Sequence, residues 1–179
     1  MLYKDYLHNE MIEISKFDDT IIIGQWVGKD VGGTYMWSTF VDLDHNKLFE
    51  MPVNESFQMQ FGTGIALTGK FCCNVFPRQN FLLHGLGDLV NLSDKVRHLS
   101  LNEDKMRMAI RVGMGTTKPI FPGIQHALCA EDHIEKMLIN TEVIRLTNKT
   151  KIVDEYLKSY YRTDGKITML VEYGDMYNE

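Results

Sequence analysis

Short apolar runs alternate with amphipathic stretches along this chain. Apolar side chains at Tyr3, Tyr6, Leu7, Met11 and Ile14 recur at the spacing of one helix face, which predicts a helix over residues 3–14. Asp18 and Asp19 mark a turn, and residues 20–23 (TIII) form an unbroken apolar run that suits a parallel strand buried on both faces. A glycine-rich loop (GKDVGGT) follows, and then a second short strand over residues 48–51. Residues 56–67 read as a tightly packed helix despite Gly62 and Gly64, and residues 71–76 (FCCNVF) as a third strand. The longest helical stretch spans residues 82–99. Further strands are expected at 108–112, 143–146 and 167–171, and further helices near 131–138 and at 149–160. This alternation predicts one domain over residues 1–179: an α/β fold, doubly wound, with a mostly parallel sheet of about six strands and helices on both faces. Such sheets bind ligands beyond the carboxyl ends of their strands. That singles out residues 24–34, 52–56 and 113–126.

Composition narrows the class. A length of 179 residues fits one domain at roughly 100–200 residues each. With 19 basic and 24 acidic residues the net charge is −5, so no basic stripe points to nucleic acid. Hydrophobic residues make up 44% of the chain, enough for a real core, which excludes wholesale disorder. No apolar run approaches the roughly 18 residues of a membrane span, and the first residues, MLYKDYLHNEMIEISK, lack a signal-peptide apolar core. Three cysteines, two of them adjacent at Cys72 and Cys73, cannot form a closed disulfide set, so a reducing cytoplasm is the expected location.

Several motif-like strings lead nowhere. Residues 64–70 (GIALTGK) have the glycine and lysine spacing of a phosphate-binding loop, but Phe71 stands where a metal-binding Ser or Thr is required, and Lys70 opens a strand-like run rather than a helix. The cysteines show no CxxC pairing and no histidines have HExxH spacing, so no metal site is expected.

At Glu55 the residues begin to match a family. PVNES (52–56) resembles the P-I-S-E type strand end of the transketolase-like pyrimidine-binding domain of thiamine diphosphate enzymes, as found in the beta subunit of the pyruvate dehydrogenase first component. The small-residue helix with Gly62, Gly64 and Ala66 follows as it does there, and Phe76 and Asn80–Phe81 keep the spacing of that family's aromatic turn. DLVN (88–91) is similar to its D-Q-I-V-N stretch, Gln125–His126 to its Q-H-S-Q motif, GQWVGKDVGGTY to its G-E-D/E-V … G-A-Y segment, and VEYGDMYNE to its closing strand. The likeness runs in order along nearly the whole chain. Two departures stand out: Gln25–Trp26 replaces an acidic pair, and QHAL replaces QHSQ.

The resemblance implies a cofactor, thiamine diphosphate, whose reactive carbon is activated through its own aminopyrimidine. A carboxylate bonded to the pyrimidine ring nitrogen drives that activation, and a carboxyl group in an apolar pocket can exchange a proton near neutral pH. Glu55 matches that residue; its position alone reads instead as a solvated first-turn glutamate favoured by the helix dipole, and the ordered resemblance reverses that reading. Phe81 matches the aromatic that stacks on the pyrimidine, or is an ordinary core phenylalanine. His126 matches a catalytic histidine near the substrate, or is a loop histidine bonded to backbone. His84, one turn after Phe81, either faces the cofactor or faces solvent.

In that family the diphosphate and Mg2+ are held by another domain through a G-D-G … N motif that this sequence lacks, and the beta subunit carries a further C-terminal domain. The resemblance therefore implies half a site, completed by a separately encoded diphosphate-binding subunit that also holds the Mg2+, in a heterotetramer. The reaction would be decarboxylation, carboligation or two-carbon transfer on a 2-oxo acid or ketose. A non-catalytic binding or regulatory module that keeps the fold is the alternative. An unrelated nucleotide-binding protein is disfavoured by the failed phosphate loop and the missing GxGxxG.

Overall fold

The computed structural model describes residues 1–28, 35–101, 106–118 and 120–179. Six strands form one sheet in the order β2-β1-β3-β4-β6-β5. They are β1 (Thr20–Gly24), β2 (Leu48–Glu50), β3 (Phe71–Phe76), β4 (Arg107–Met114), β5 (Thr141–Arg145) and β6 (Ile167–Tyr173). Every neighbouring pair is parallel. The helices are α1 (Tyr3–Ser15), α2 (Glu55–Leu67), α3 (Gln79–His84), α4 (Leu86–Asn91), α5 (Val96–Leu99), α6 (Glu131–Glu135) and α7 (Glu155–Tyr160). The expected doubly wound α/β architecture is therefore what the chain adopts. Much of the expected glycine-rich loop, residues 29–34, lies outside the described residues.

The strand pleat sorts adjacent residues onto opposite faces. Ile22 and Cys73 join the core under α1 and α7, with Tyr3, Leu7, Met11 and Tyr156. Their neighbours Ile23 and Cys72 join the core on the other face, with Met59 of α2, Leu82 of α3 and Leu89 of α4. β3 is buried along its whole length, whereas the edge strand β2 buries only Leu48. Continuous apolar runs are thus confined to strands that are covered on both faces.

Two expected helices are broken by buried carboxylates. The stretch expected at 82–99 divides into α3, α4, a single 3-10 turn and α5. The dividing turn swings Asp94 inward, where it accepts hydrogen bonds from the backbone of Ile139 and Asn140 and from the Thr141 hydroxyl, 2.7–2.9 Å away. The longest helices are instead α1 and α2, of 13 residues each. The helix expected at 149–160 begins only at Glu155, because Asp154 adopts a left-handed conformation with φ 65°. There the Glu10 carboxylate of α1 accepts the backbone N–H groups of Asp154 and Tyr156 at 2.7 and 3.1 Å. Three-dimensional partners override helical periodicity at both places.

Strand order reverses between β1 and β3: the chain leaves β1 for the β2 edge and returns through α2 to pair β3 on the other side of β1. The crevice beyond the carboxyl ends of β1 and β3 is the position where doubly wound sheets bind ligands.

Candidate functional site

Glu55 opens α2 at that crevice. Asn54 caps the helix, accepting the Phe57 N–H at 3.0 Å, which fixes where the helix starts and which way Glu55 leaves it. Glu55 is only 7% exposed, so the solvated-glutamate alternative does not describe it. Its Oε1 accepts a hydrogen bond from Gln25 Nε2 at 3.0 Å. Gln25 follows β1 directly and is likewise buried. Among the described residues, Oε2 of Glu55 accepts no hydrogen bond. The junction of α3 and α4 closes in on the same helix start: a Cβ at Gly85 would lie 2.7 Å from the Glu55 carbonyl oxygen. Only a glycine permits that approach.

Phe81 and His126 meet at the same edge. Their ring centroids are 5.5 Å apart at 64°, an edge-to-face contact. His126 belongs to the long loop after β4, and its Nδ1 lies 3.1 Å from Oδ1 of Asn80. Both rings are half-buried. The structure thus joins Phe81 to His126 and packs the α3–α4 junction on Glu55, whereas His84 is exposed and makes no described side-chain hydrogen bond.

Three consecutive side chains after β3 carry unpaired buried donors: Nη1 of Arg78, Nε2 of Gln79 and Nδ2 of Asn80. An unsatisfied buried donor costs about 1–3 kcal/mol, so three in a row at a strand's carboxyl end call for an acceptor there, from water or from a ligand. Arg78 also lines a cavity of about 430 Å³ at the ends of β4 and β6, together with Lys4, Lys118, Tyr35, Thr116 and Tyr177. The described lining includes three cationic side chains and no carboxylate. Asp175, just past β6, anchors one rim by accepting the N–H groups of Thr117 and Lys118 at 2.6 and 2.8 Å. Burial alone would raise the Asp175 carboxyl, but these bonds, that of the Thr117 hydroxyl and the Lys118 charge hold it below its usual range.

Under the cavity, Arg111 of β4 and Glu172 of β6 form a fully buried ion pair through two bonds, at 2.5 and 3.0 Å. The Thr39, Tyr156 and Tyr177 hydroxyls complete the network. Burial pushes both tyrosine hydroxyls well above their ordinary range, with the Glu172 charge adding to it.

Sequence reasoning noted Gln25 and Asn80 only as a departure and a spacing, and missed Arg78 and the cavity. An arginine between Pro77 and Gln79, just past a largely apolar strand, was the available signal. The GIALTGK string lies at the opposite, amino-terminal edge of β3, remote from this crevice.

No family model matches the chain, and no curated protein matches it. Among described residues, no helix is long and apolar enough to cross a membrane, and no group of three or more His, Cys, Asp or Glu is placed to hold a metal ion. A solved structure described as a split gene transketolase, an inactive beta4 tetramer, superposes with a TM-score of 0.70 at 12% identity. The match covers 97% of this chain and 52% of that one, so this chain spans about half its neighbour's length. At that identity the likeness is one of fold, and the chain has a transketolase-like α/β fold.

Proposed function

We propose that this chain is the pyrimidine-binding subunit of a split thiamine diphosphate-dependent enzyme that acts on a 2-oxo acid or ketose. The observation that carries this reading is Glu55: a buried carboxylate at a helix start, at the sheet's switch point, with one oxygen held and the other unpaired. The residues fit the pyrimidine half of the cofactor. The unpaired Oε2 of Glu55 is the partner for a ring nitrogen, the Phe81 ring offers a stacking surface, and the buried Asn80 Nδ2 is a donor that lacks an acceptor. The bound cofactor supplies the nucleophilic carbon that adds to a substrate carbonyl. Glu55 holds or releases a proton at the ring nitrogen, and His126, oriented by Asn80, serves proton transfer to the substrate.

The diphosphate and Mg2+ fall to a diphosphate-binding partner subunit, as the description of the neighbour as a split-gene enzyme supports. The three cations of the Arg78 cavity suit the anionic end of a substrate. Self-association towards a heterotetramer would use the outer face of α2, where Phe57 and Phe61 stack 5.7 Å apart with each ring half-exposed. That the neighbour is a beta4 tetramer supports self-association. The test is a Glu55→Gln variant in the assembled enzyme. It keeps the fold and loses turnover by about 10²–10⁴-fold, and retained turnover overturns the reading.

A further inference from the structure

Trp26 has a backbone φ of 62°, a left-handed conformation that side chains other than glycine rarely adopt. It follows Gln25 directly, and the turn that contains it is held by one carboxylate. Glu50, at the end of β2, accepts the N–H groups of Trp26, Val27 and Gly28 at 2.8, 2.9 and 2.8 Å. The Met51 N–H also donates to the Gly24 carbonyl at 2.8 Å, which ties the β2 end to the last residue of β1. A strained residue persists where its surroundings over-determine it. Here four hydrogen bonds between the ends of β1 and β2 do so. Their result is that Gln25 turns inward to Glu55 while Trp26 stays 39% exposed.

We propose that Gln25 is a positioning residue for Glu55, presented by the strained Trp26 turn that Glu50 clamps. The inference rests on the functional reading above and adds a residue to it. By occupying Oε1, the Gln25 amide leaves Oε2 as the working oxygen. A primary amide carries a donor and an acceptor on the same planar group and does not ionise. It therefore holds a carboxylate through its N–H and, turned over, a carboxylic acid through its oxygen. Glu55 keeps one orientation through a cycle of proton loss and gain. A carboxylate in place of Gln25 would set two negative charges side by side in one state, and an apolar side chain would leave Glu55 without an anchor.

Two measurements on wild type, Gln25→Met and Gln25→Glu decide this. In the isolated full-length chain, nuclear magnetic resonance couplings across the Glu55 side-chain torsions report one rotamer in wild type and averaged rotamers in Gln25→Met; unchanged couplings overturn the proposal. In the complex with a diphosphate-binding subunit, thiamine diphosphate and Mg2+, Gln25→Met alters the near-ultraviolet circular-dichroism band of the bound aminopyrimidine. It also lowers kcat about 10- to 100-fold with KM within about two-fold, at a melting temperature close to wild type, and Gln25→Glu lowers kcat further. A wild-type band and kcat in Gln25→Met overturn the proposal. If wild type itself shows no cofactor band, the functional reading fails, while the couplings still decide whether Gln25 orients Glu55.

Discussion

Asn80 and His126 join α3 to the loop after β4, with Oδ1 of the amide 3.1 Å from Nδ1 of the ring. An amide oxygen only accepts, so a hydrogen bond here selects the tautomer with the proton on Nδ1 and Nε2 free to accept one. Asn80 lies next to Phe81, whose ring meets the same imidazole at 64°, so one turn of α3 contacts His126 twice. Replacing Asn80 by Ala should lower kcat of the assembled enzyme about ten-fold with little change in KM, and His126→Ala should cost about 10²-fold. Steady-state kinetics of the two variants check this. An Asn80→Ala enzyme with wild-type kcat would mean that the pair does not act on the reaction.

Gly85 and Gly87 offer a matched contrast. A methyl group at Gly85 meets the Glu55 carbonyl at 2.7 Å, whereas one at Gly87 meets nothing within 4 Å. Gly85→Ala should destabilise the chain by about 1–3 kcal/mol and weaken cofactor binding, because the helix start that carries Glu55 must move. Gly87→Ala should be neutral or stabilise by up to about 1 kcal/mol. Urea denaturation of both variants reads the difference.

The Arg111–Glu172 pair has no exposed side-chain surface. Burial works against the Arg111 charge, but the Glu172 carboxylate and the Tyr177 and Tyr156 oxygens keep it well above its ordinary range. Arg111→Met strands Glu172 in a dry core and should cost about 3–5 kcal/mol. Adding Glu172→Gln should recover a good part of that, since the glutamine oxygen still accepts from a tyrosine. The comparison is again a urea titration, and a double variant no better than the single one would contradict the assignment of the cost to an unpaired charge.

Asp94 supplies a pH dependence. Burial alone would raise its carboxyl, but hydrogen bonds from Lys95, the Ile139 and Asn140 backbone and Thr141 hold it below its ordinary 3.8. A carboxyl depressed in the folded state contributes stability that is full above about pH 4 and is lost as pH falls through the folded value. As pH falls below about 4 the wild type should therefore lose stability more steeply than Asp94→Asn, which is already weaker at neutral pH. Thermal melts across that range decide it, and parallel curves for the two proteins would contradict it.

The sheet was legible because its covered strands read as short, mainly apolar runs: FCCNVF, polar only at Asn74, became β3 residue for residue. The helices were less so. Asp94 and Asp154 look like ordinary helix-surface residues in sequence. Only their partners, Asn140 and Thr141 for one and Glu10 for the other, explain the breaks. At the candidate site, Glu55, Phe81 and His126 were singled out from ordered motifs, and all three lie at the carboxyl edge of the sheet. Gln25 and Arg78 were not given roles, because a hydrogen bond between residues 25 and 55, or a cavity shared by the ends of three strands, leaves no periodic trace. His84, one helical turn after Phe81, has an exposed side chain.

The shared site is tested most directly by calorimetric titration of thiamine diphosphate with Mg2+ into the full chain, first alone and then with a separately encoded diphosphate-binding chain. We expect no tight binding and no turnover by the chain alone, and both in the mixture, with binding weakened by Phe81→Ala. Tight binding and turnover by this chain without a partner would contradict the split site.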